Sequence, residues 1–308
     1  MNFDKTLLAP ELKEKILSYQ KPENLRWVLT CVANWLVILA SFYVAYYYQS
    51  LWIDAFVILV VGNRQHAIAL LGHEGSHYTL SSNRQWNDFL TGILTLWPLG
   101  VSLPGYREFH FKHHQNVGTI DDPELDHKKA FAPGYDLPIT RAKMIFYFIK
   151  DILCLSSNEV ILAMKFFTPK NKRHLLIPFL FMGSLVSALI YFGFLWVVIL
   201  WFIAIYTSFW AFFRIRIYIE HIGTNETHRV ETHPLLNLVF FPYGSDTHWE
   251  HHQWPTMPYY NRKKIRALIS EPKLIKINDL FKSYENKKQT NAHTSNTDTN
   301  FDELLNNS

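Results

Sequence analysis

From Trp27 to Tyr48 the chain carries no charged residue. At ~1.5 Å rise per residue that run is long enough to cross a bilayer core as one helix. Gln49-Ser50 reads as a turn, and a second apolar segment follows over 51–72. Tyr46, Tyr47, Tyr48 and Trp52 cluster at this hairpin, as an interfacial aromatic belt does. Between Leu175 and Phe213 charge is absent again over 39 residues, too long for one span and suited to two, over 175–193 and 195–213. Residues 10–20 predict a short amphipathic helix, with Pro10 near its start and Leu12, Ile16 and Leu17 on one face. Residues 86–103 are apolar, but Pro98, Gly100, Pro104 and Gly105 break them, which predicts an interfacial or re-entrant segment. Over 140–168, Arg141, Lys143, Lys150 and Lys165 alternate with Met144, Ile145, Phe148 and Ile152, the composition of helices lying on a membrane surface.

These elements predict an all-α integral membrane protein: four transmembrane helices in two hairpins, with a cytosolic helical cap. Residues 1–283 are expected to form one membrane domain. Past Glu285 the chain turns to Asn, Thr, Ser and Lys without an apolar face, so 284–308 is expected to be a disordered tail. Lys and Arg concentrate in 73–174 while the two short opposite loops carry none, which puts the N-terminus, the middle segment and the C-terminus on the cytoplasmic side. The first 26 residues show no signal-peptide pattern.

Composition refines this picture slightly. Hydrophobic residues at 49% with charged residues at 18% fit spans joined to a polar body. The net charge of +4 comes without a basic stripe interleaved with aromatics, so an anionic lipid surface is the expected partner and nucleic acid is not. Two cysteines, Cys31 and Cys154, make no disulfide framework, as expected where the working parts face a reducing compartment.

Polar positions inside the apolar segments carry the chemistry. Asn63, Arg64, Gln65 and His66 fall near or past the middle of the second segment, where polar groups are costly. On a helix, His66, His73 and His77 lie within roughly 60° of one another, which makes His66 a candidate for lining a substrate path. Gly72-His73-Glu74-Gly75-Ser76-His77 has three readings: a zinc-protease H-E-x-x-H, half of a carboxylate di-iron site (Glu74, His77), or two neutral nitrogen ligands awaiting partners.

The other histidines decide among these. Of 15, eight fall into three clusters: His73/His77, His110/His113/His114 (HFKHH) and His248/His251/His252 (HWEHH). Positions i, i+3 and i+4 share about 100° of helix arc, so each H-x-x-H-H puts three imidazoles on one side. Eight imidazoles exceed one ion's needs and suit two, although imidazole alone does not name the metal. A zinc protease would need a further ligand, typically an Asp from a later span, and 175–213 contains none. A second E-x-x-H pair, Glu124/His127, sits in a Pro- and Asp-rich loop ill suited to a bundle helix. A metal transporter would place ligands near the bilayer midplane, whereas these clusters lie beyond span ends.

The order H-x-x-x-H, H-x-x-H-H, H-x-x-H-H with paired spans between resembles the membrane-bound fatty-acid desaturase and hydroxylase superfamily. The flanks agree: Gly62-Asn-Arg-Gln-His-Ala before the first box, Gly118-Thr-Ile-Asp-Asp-Pro-Glu-Leu after the second, and His248-Trp-Glu-His-His-Gln-Trp-Pro at the third. The closer look is of a compact bacterial desaturase of the inner membrane. The resemblance implies two non-haem irons, O2 as co-substrate, a separate ferredoxin or cytochrome b5-type electron donor and a lipophilic acyl substrate. It implies metal ligands His73, His77, His110, His113, His114, His248, His251 and His252, plus one histidine after the fourth span. Tyr218-Ile-Glu-His221 matches that position best, with His228 and His233 as other candidates. No catalytic residue is expected beyond the metal ligands. Glu74, Glu108, Asp121, Asp122, Glu220 and Glu250 are available to orient imidazoles from outside. One departure is Ile217, where the acyl-CoA branch has an Asn. Hydroxylation or ketolation, and a small amino-acid-derived substrate, are the alternatives within the superfamily.

Overall fold

A computed structural model describes residues 4–287. Among the described residues, four helices are long and apolar enough to cross a membrane: Asn24–Tyr48, Leu51–Ser76, Lys172–Tyr191 and Leu195–Glu220. In chain order the helices are α1 (Pro10–Ser18), α2 (Asn24–Tyr48), α3 (Leu51–Ser76), α4 (Arg84–Thr91), α5 (Leu103–Asn116), α6 (Pro123–Ala130), α7 (Arg141–Ile152) and α8 (Ser157–Met164). Then follow α9 (Leu176–Tyr191), α10 (Leu195–Ala204), α11 (Trp210–Glu220), α12 (Pro234–Val239), α13 (His248–Gln253), α14 (Tyr259–Leu268) and α15 (Ile277–Asn286). Two short strands, β1 (Val230–Glu231) and β2 (Ile275–Lys276), pair in parallel.

α3 is the axis of the fold. Of its most apolar stretch 61% is buried, against 6% for Lys172–Tyr191, so α3 is central and the third apolar helix peripheral. Gly62 permits close packing of α3 on the fourth apolar helix, since a Cβ there would sit 2.8 Å from the backbone nitrogen of Phe209. The side-chain NH2 groups of two amides inside α3 find acceptors: Asn63 donates to the Val239 carbonyl at 2.7 Å and Gln65 to that of Trp201 at 3.0 Å, while Gln65 Oε1 and both ring nitrogens of His66 have no hydrogen-bond partner among the described residues. Those bonds remove part of the cost of placing amides in an apolar segment. His66 is fully buried edge-on to Phe209, with ring centroids 6.2 Å apart.

Several boundaries differ from expectation. α3 runs past 72 to Ser76, so both histidines of the first box stay within reach of one helix. The fourth apolar helix continues beyond 213 to Glu220 through a π-helical turn at Ile205–Phe209, despite Arg214 and Arg216. Arg214 does not end the helix because Asp151 accepts from it at 2.6 and 3.0 Å and Glu159 at 3.2 Å. The helical run from Arg84 passes through a second π turn, Gly92–Leu96, and meets α5 at 92°, at the expected Pro/Gly break. α15 carries the folded chain past 283: Tyr284 is buried and donates to the Tyr218 carbonyl at 2.5 Å. Residues 288–308 of the expected tail lie outside the described residues.

Candidate metal centre

Four elements bring nine histidines together. α3 contributes His73 and, at its C-cap, His77; α5 contributes His110, His113 and His114; α11 ends at His221; and α13 carries His248, His251 and His252. They sort into two sets whose ligand atoms lie within 4.8 Å of one another: His73, His77, His110, His114 and His251, and His113, His221, His248 and His252. Each H-x-x-H-H motif is split. In α5 the i, i+4 pair joins the five-histidine set and His113 the other, while in α13 the pair joins the four-histidine set and His251 the other. His114 and His252 meet between the sets, ring centroids 4.2 Å apart.

The spacing within each set fits a shared ion. Nε2 atoms approach at 2.8 Å (His77–His110), 3.0 Å (His110–His114) and 3.0 Å (His114–His251) in the first set, and at 2.8 Å (His221–His248) and 3.1 Å (His248–His252) in the second. Two nitrogens bound at ~2.1 Å to one ion are ~3.0 Å apart at a right angle and ~3.4 Å at the tetrahedral angle. The observed edges are short enough for neighbouring nitrogens of each set to share one ion. Buried Nε2 atoms of His73 and His113 have no hydrogen-bond partner among the described residues, a cost that an ion would remove. Burial and the neighbouring imidazoles hold His248, His251 and His252 well below the ordinary histidine range, so all three present neutral nitrogen at pH 7.

Partners on the Nδ1 side orient several rings. His113 Nδ1 lies 2.8 Å from Asp122, which also caps α6 by accepting from the Glu124 backbone at 2.9 Å. Burial raises the Asp122 carboxyl, but the His113 hydrogen bond, the charges of His113 and Lys128 and the Glu124 backbone N–H together outweigh it and keep the group below the usual carboxylate range. A carboxylate only accepts, so the His113 proton sits on Nδ1 and leaves the Nε2 lone pair facing inward. His221 Nδ1 donates to the Glu226 carbonyl at 3.0 Å, and His248 Nδ1 lies 3.4 Å from Glu220, itself held by Arg216 at 2.7 Å. His73 Nδ1 lies 3.2 Å from Glu74.

Of the six acids available for this role, Glu74, Asp122 and Glu220 take it. Glu250 instead accepts from Arg229 at 2.8 Å and Arg266 at 2.9 Å, tying α13 to α14. Glu108 pairs with Lys170 at 3.1 Å on the surface, and Asp121 is exposed. His228 bonds the Ile222 carbonyl at 2.8 Å and His233 caps α12, so neither of these candidates joins a set. Glu74 is committed on both oxygens, to Arg262 and to the Tyr259 backbone at 3.1 Å, which removes it as the general base of a protease.

A cavity of about 350 Å³ lies one residue away from the histidines: none of them lines it, but Tyr106, which does, stacks on His110. Leu96, Leu99, Ile205, Phe209, Trp210 and Phe213 line it, with Tyr106 and Arg216 at the histidine end. Both π turns contribute side chains, Leu96 from one and Ile205 and Phe209 from the other. His66 is not part of this lining, contrary to expectation: Phe209 stands beside it and faces the cavity in its place. Tyr106, which carries no signature in the sequence, stacks on His110 at 5.4 Å.

A family model described as fatty acid desaturase matches residues 50–280. The Delta(8)-fatty-acid desaturase of Helianthus annuus is 29% identical over 121 residues, 39% of this chain and 26% of that protein. The sn-1 acyl-lipid omega-3 desaturase (ferredoxin) of Nostoc sp. (strain 36) is 30% identical over 106 residues, 34% of this chain and 29% of that protein. The matches span less than a third of the length of these relatives.

Proposed function

Because the chain belongs to the fatty acid desaturase family, we propose that it is a membrane-bound, O2-dependent di-iron oxidoreductase. It removes two hydrogens from the aliphatic chain of a fatty acyl lipid, with electrons from a separate ferredoxin or cytochrome b5-type protein. The observation that carries this reading is the pair of buried histidine sets beside one apolar cavity. His73, His77, His110, His114 and His251 would hold one iron, and His113, His221, His248 and His252 the other. The bound irons supply reductive activation of O2.

The chain's own part is to keep nine imidazoles oriented, and to place one C–H close to them. An error of ~1 Å in that placement can cost ~100-fold in rate. Apolar lining excludes water and accepts the chain, and Tyr106, stacked on His110, marks the end of the cavity nearest the histidines. No residue beyond the metal ligands is assigned a chemical step.

In the membrane, the four apolar helices cross as two hairpins, and residues 4–287 act as one desaturase-like unit. Both termini and the histidine-bearing cap face the cytoplasm of a bacterial inner membrane. Exposed Ile145, Phe146, Ile149, Ile161 and Leu162 on α7 and α8 support their lying on its surface.

The test is expression in a host of known lipid composition, with mass spectrometry of lipids and polar metabolites against a His251→Ala control. A product lighter by two hydrogens that requires His251 is expected. A product gaining oxygen would replace desaturation with hydroxylation, and a change confined to polar metabolites would replace the acyl substrate.

A further inference from the structure

The two sets are unequal, five imidazoles against four. We propose that Glu124 is a protein ligand of the four-histidine site, supplying a carboxylate oxygen so that each site has five protein ligands. This deepens the di-iron reading and rests on it.

The Glu124 side chain is 13% exposed and faces the inner side of the set. Its Oε1 lies 3.6 Å from His113 Nε2 and its Oε2 3.9 Å from His221 Nε2. Two donors sharing one ion at ~2.1 Å cannot be more than ~4.2 Å apart, and both distances fall inside that limit, one from each carboxylate oxygen. Glu124 stands outside the 4.8 Å set that the four histidines form, so joining it takes an inward shift of the side chain. Glu74, Asp122 and Glu220, by contrast, meet their histidines at Nδ1, the outer side.

Hydrogen bonding does not account for this placement. The fully buried Nε2 of His113 has no hydrogen-bond partner among the described residues, and Glu124 Oε1 faces it from 3.6 Å, beyond hydrogen-bond reach. Lys128 reaches the carboxylate at 4.0 Å from Oε2, on the atom farther from His113. Four neutral imidazoles would also leave the full charge of a divalent ion buried, and one carboxylate offsets part of it.

Local structure fixes the arrangement. Gly118 takes a left-handed turn at φ +73°, where a Cβ would meet the Asn225 backbone. Four residues on, Asp122 accepts from both the Glu124 backbone and His113, so one carboxylate positions both proposed ligands.

The experiment uses the full-length protein purified with ⁵⁷Fe and compares wild type, Glu124→Gln and Glu124→His. Metal per chain, chelator competition and Mössbauer spectra are read. Wild type is expected to hold two ions; fewer would overturn the di-iron reading itself. In Glu124→Gln, one ion is expected to weaken at least ~10-fold while the other is unchanged. Glu124→His replaces one ligand type with another, so it should retain both ions and alter one of the two quadrupole doublets. Retention of both ions within twofold of wild type in Glu124→Gln overturns the proposal. If Glu124→Gln does not fold, doublets of Glu124→His that superimpose on wild type overturn it equally.

Discussion

The five-histidine and four-histidine sets are assembled from the same motif used in opposite senses. α5 sends His110 and His114 to the first set and His113 to the second, whereas α13 sends His248 and His252 to the second and His251 to the first. Their support differs as well. In the second set, His113, His221 and His248 each have an acceptor on Nδ1. In the first, Glu74 backs His73, while His251 Nδ1 has no partner among the described residues. One centre is oriented from outside by polar partners, the other mainly by the packing of α3, α5 and α13. The lesson is that one short helix can serve two sites, with the i+3 position reaching the neighbour of the site that i and i+4 serve.

Three changes would break or sharpen this contrast. The largest concerns the first set's one carboxylate. Arg262→Ala leaves Glu74 charged and unpaired in the interior, with an expected loss of about 3–5 kcal/mol in unfolding experiments. Arg262→Lys should recover part of it, and a loss below about 1 kcal/mol would show that Glu74 does not depend on this pair.

Next is His228, an imidazole buried outside both sets. Burial pushes it down to about 4, against the raising effect of its bond to the Ile222 carbonyl. An unfolded histidine takes its proton near pH 6.5. Stability is therefore fully present above about 6.5 and is lost as pH falls toward 4, by about 3 kcal/mol in total. The difference in unfolding free energy between wild type and His228→Asn should shrink over that window; a pH-independent difference would contradict the assignment.

The smallest effect isolates the second set. Asp122→Asn keeps the cap on α6 but removes the charge behind His113. The ion of the four-histidine site should weaken about 10–100-fold in chelator competition while the other holds. Equal weakening of both would erase the distinction between the sets.

Much of the site was legible in the chain because it depends on local regularities. Spacing at i, i+3 and i+4 puts imidazoles on one face whatever the helix packs against, and the resemblance to the desaturases singled out His221 at the exit of the last apolar run. Other features were hidden. Glu220 and Glu250 each sit next to or near a histidine in sequence, yet Glu220 backs His248 and Glu250 binds two arginines. His66 shares a helix face with His73, but Phe209 separates it from the cavity. Glu124 looked like a member of an E-x-x-H pair with His127, whereas its carboxylate faces His113 and His221.

The sequence by itself determined the four apolar helices, the three histidine boxes and the likeness to a desaturase, because run length and helical period are properties of neighbours along the chain. Tertiary structure alone decided which imidazoles share a site, which acids stand behind them and which helix is central. Those depend on how α3, α5, α11 and α13 cross, and crossing is set by contacts between residues far apart in sequence, such as Gly62 against Phe209 and Arg262 against Glu74.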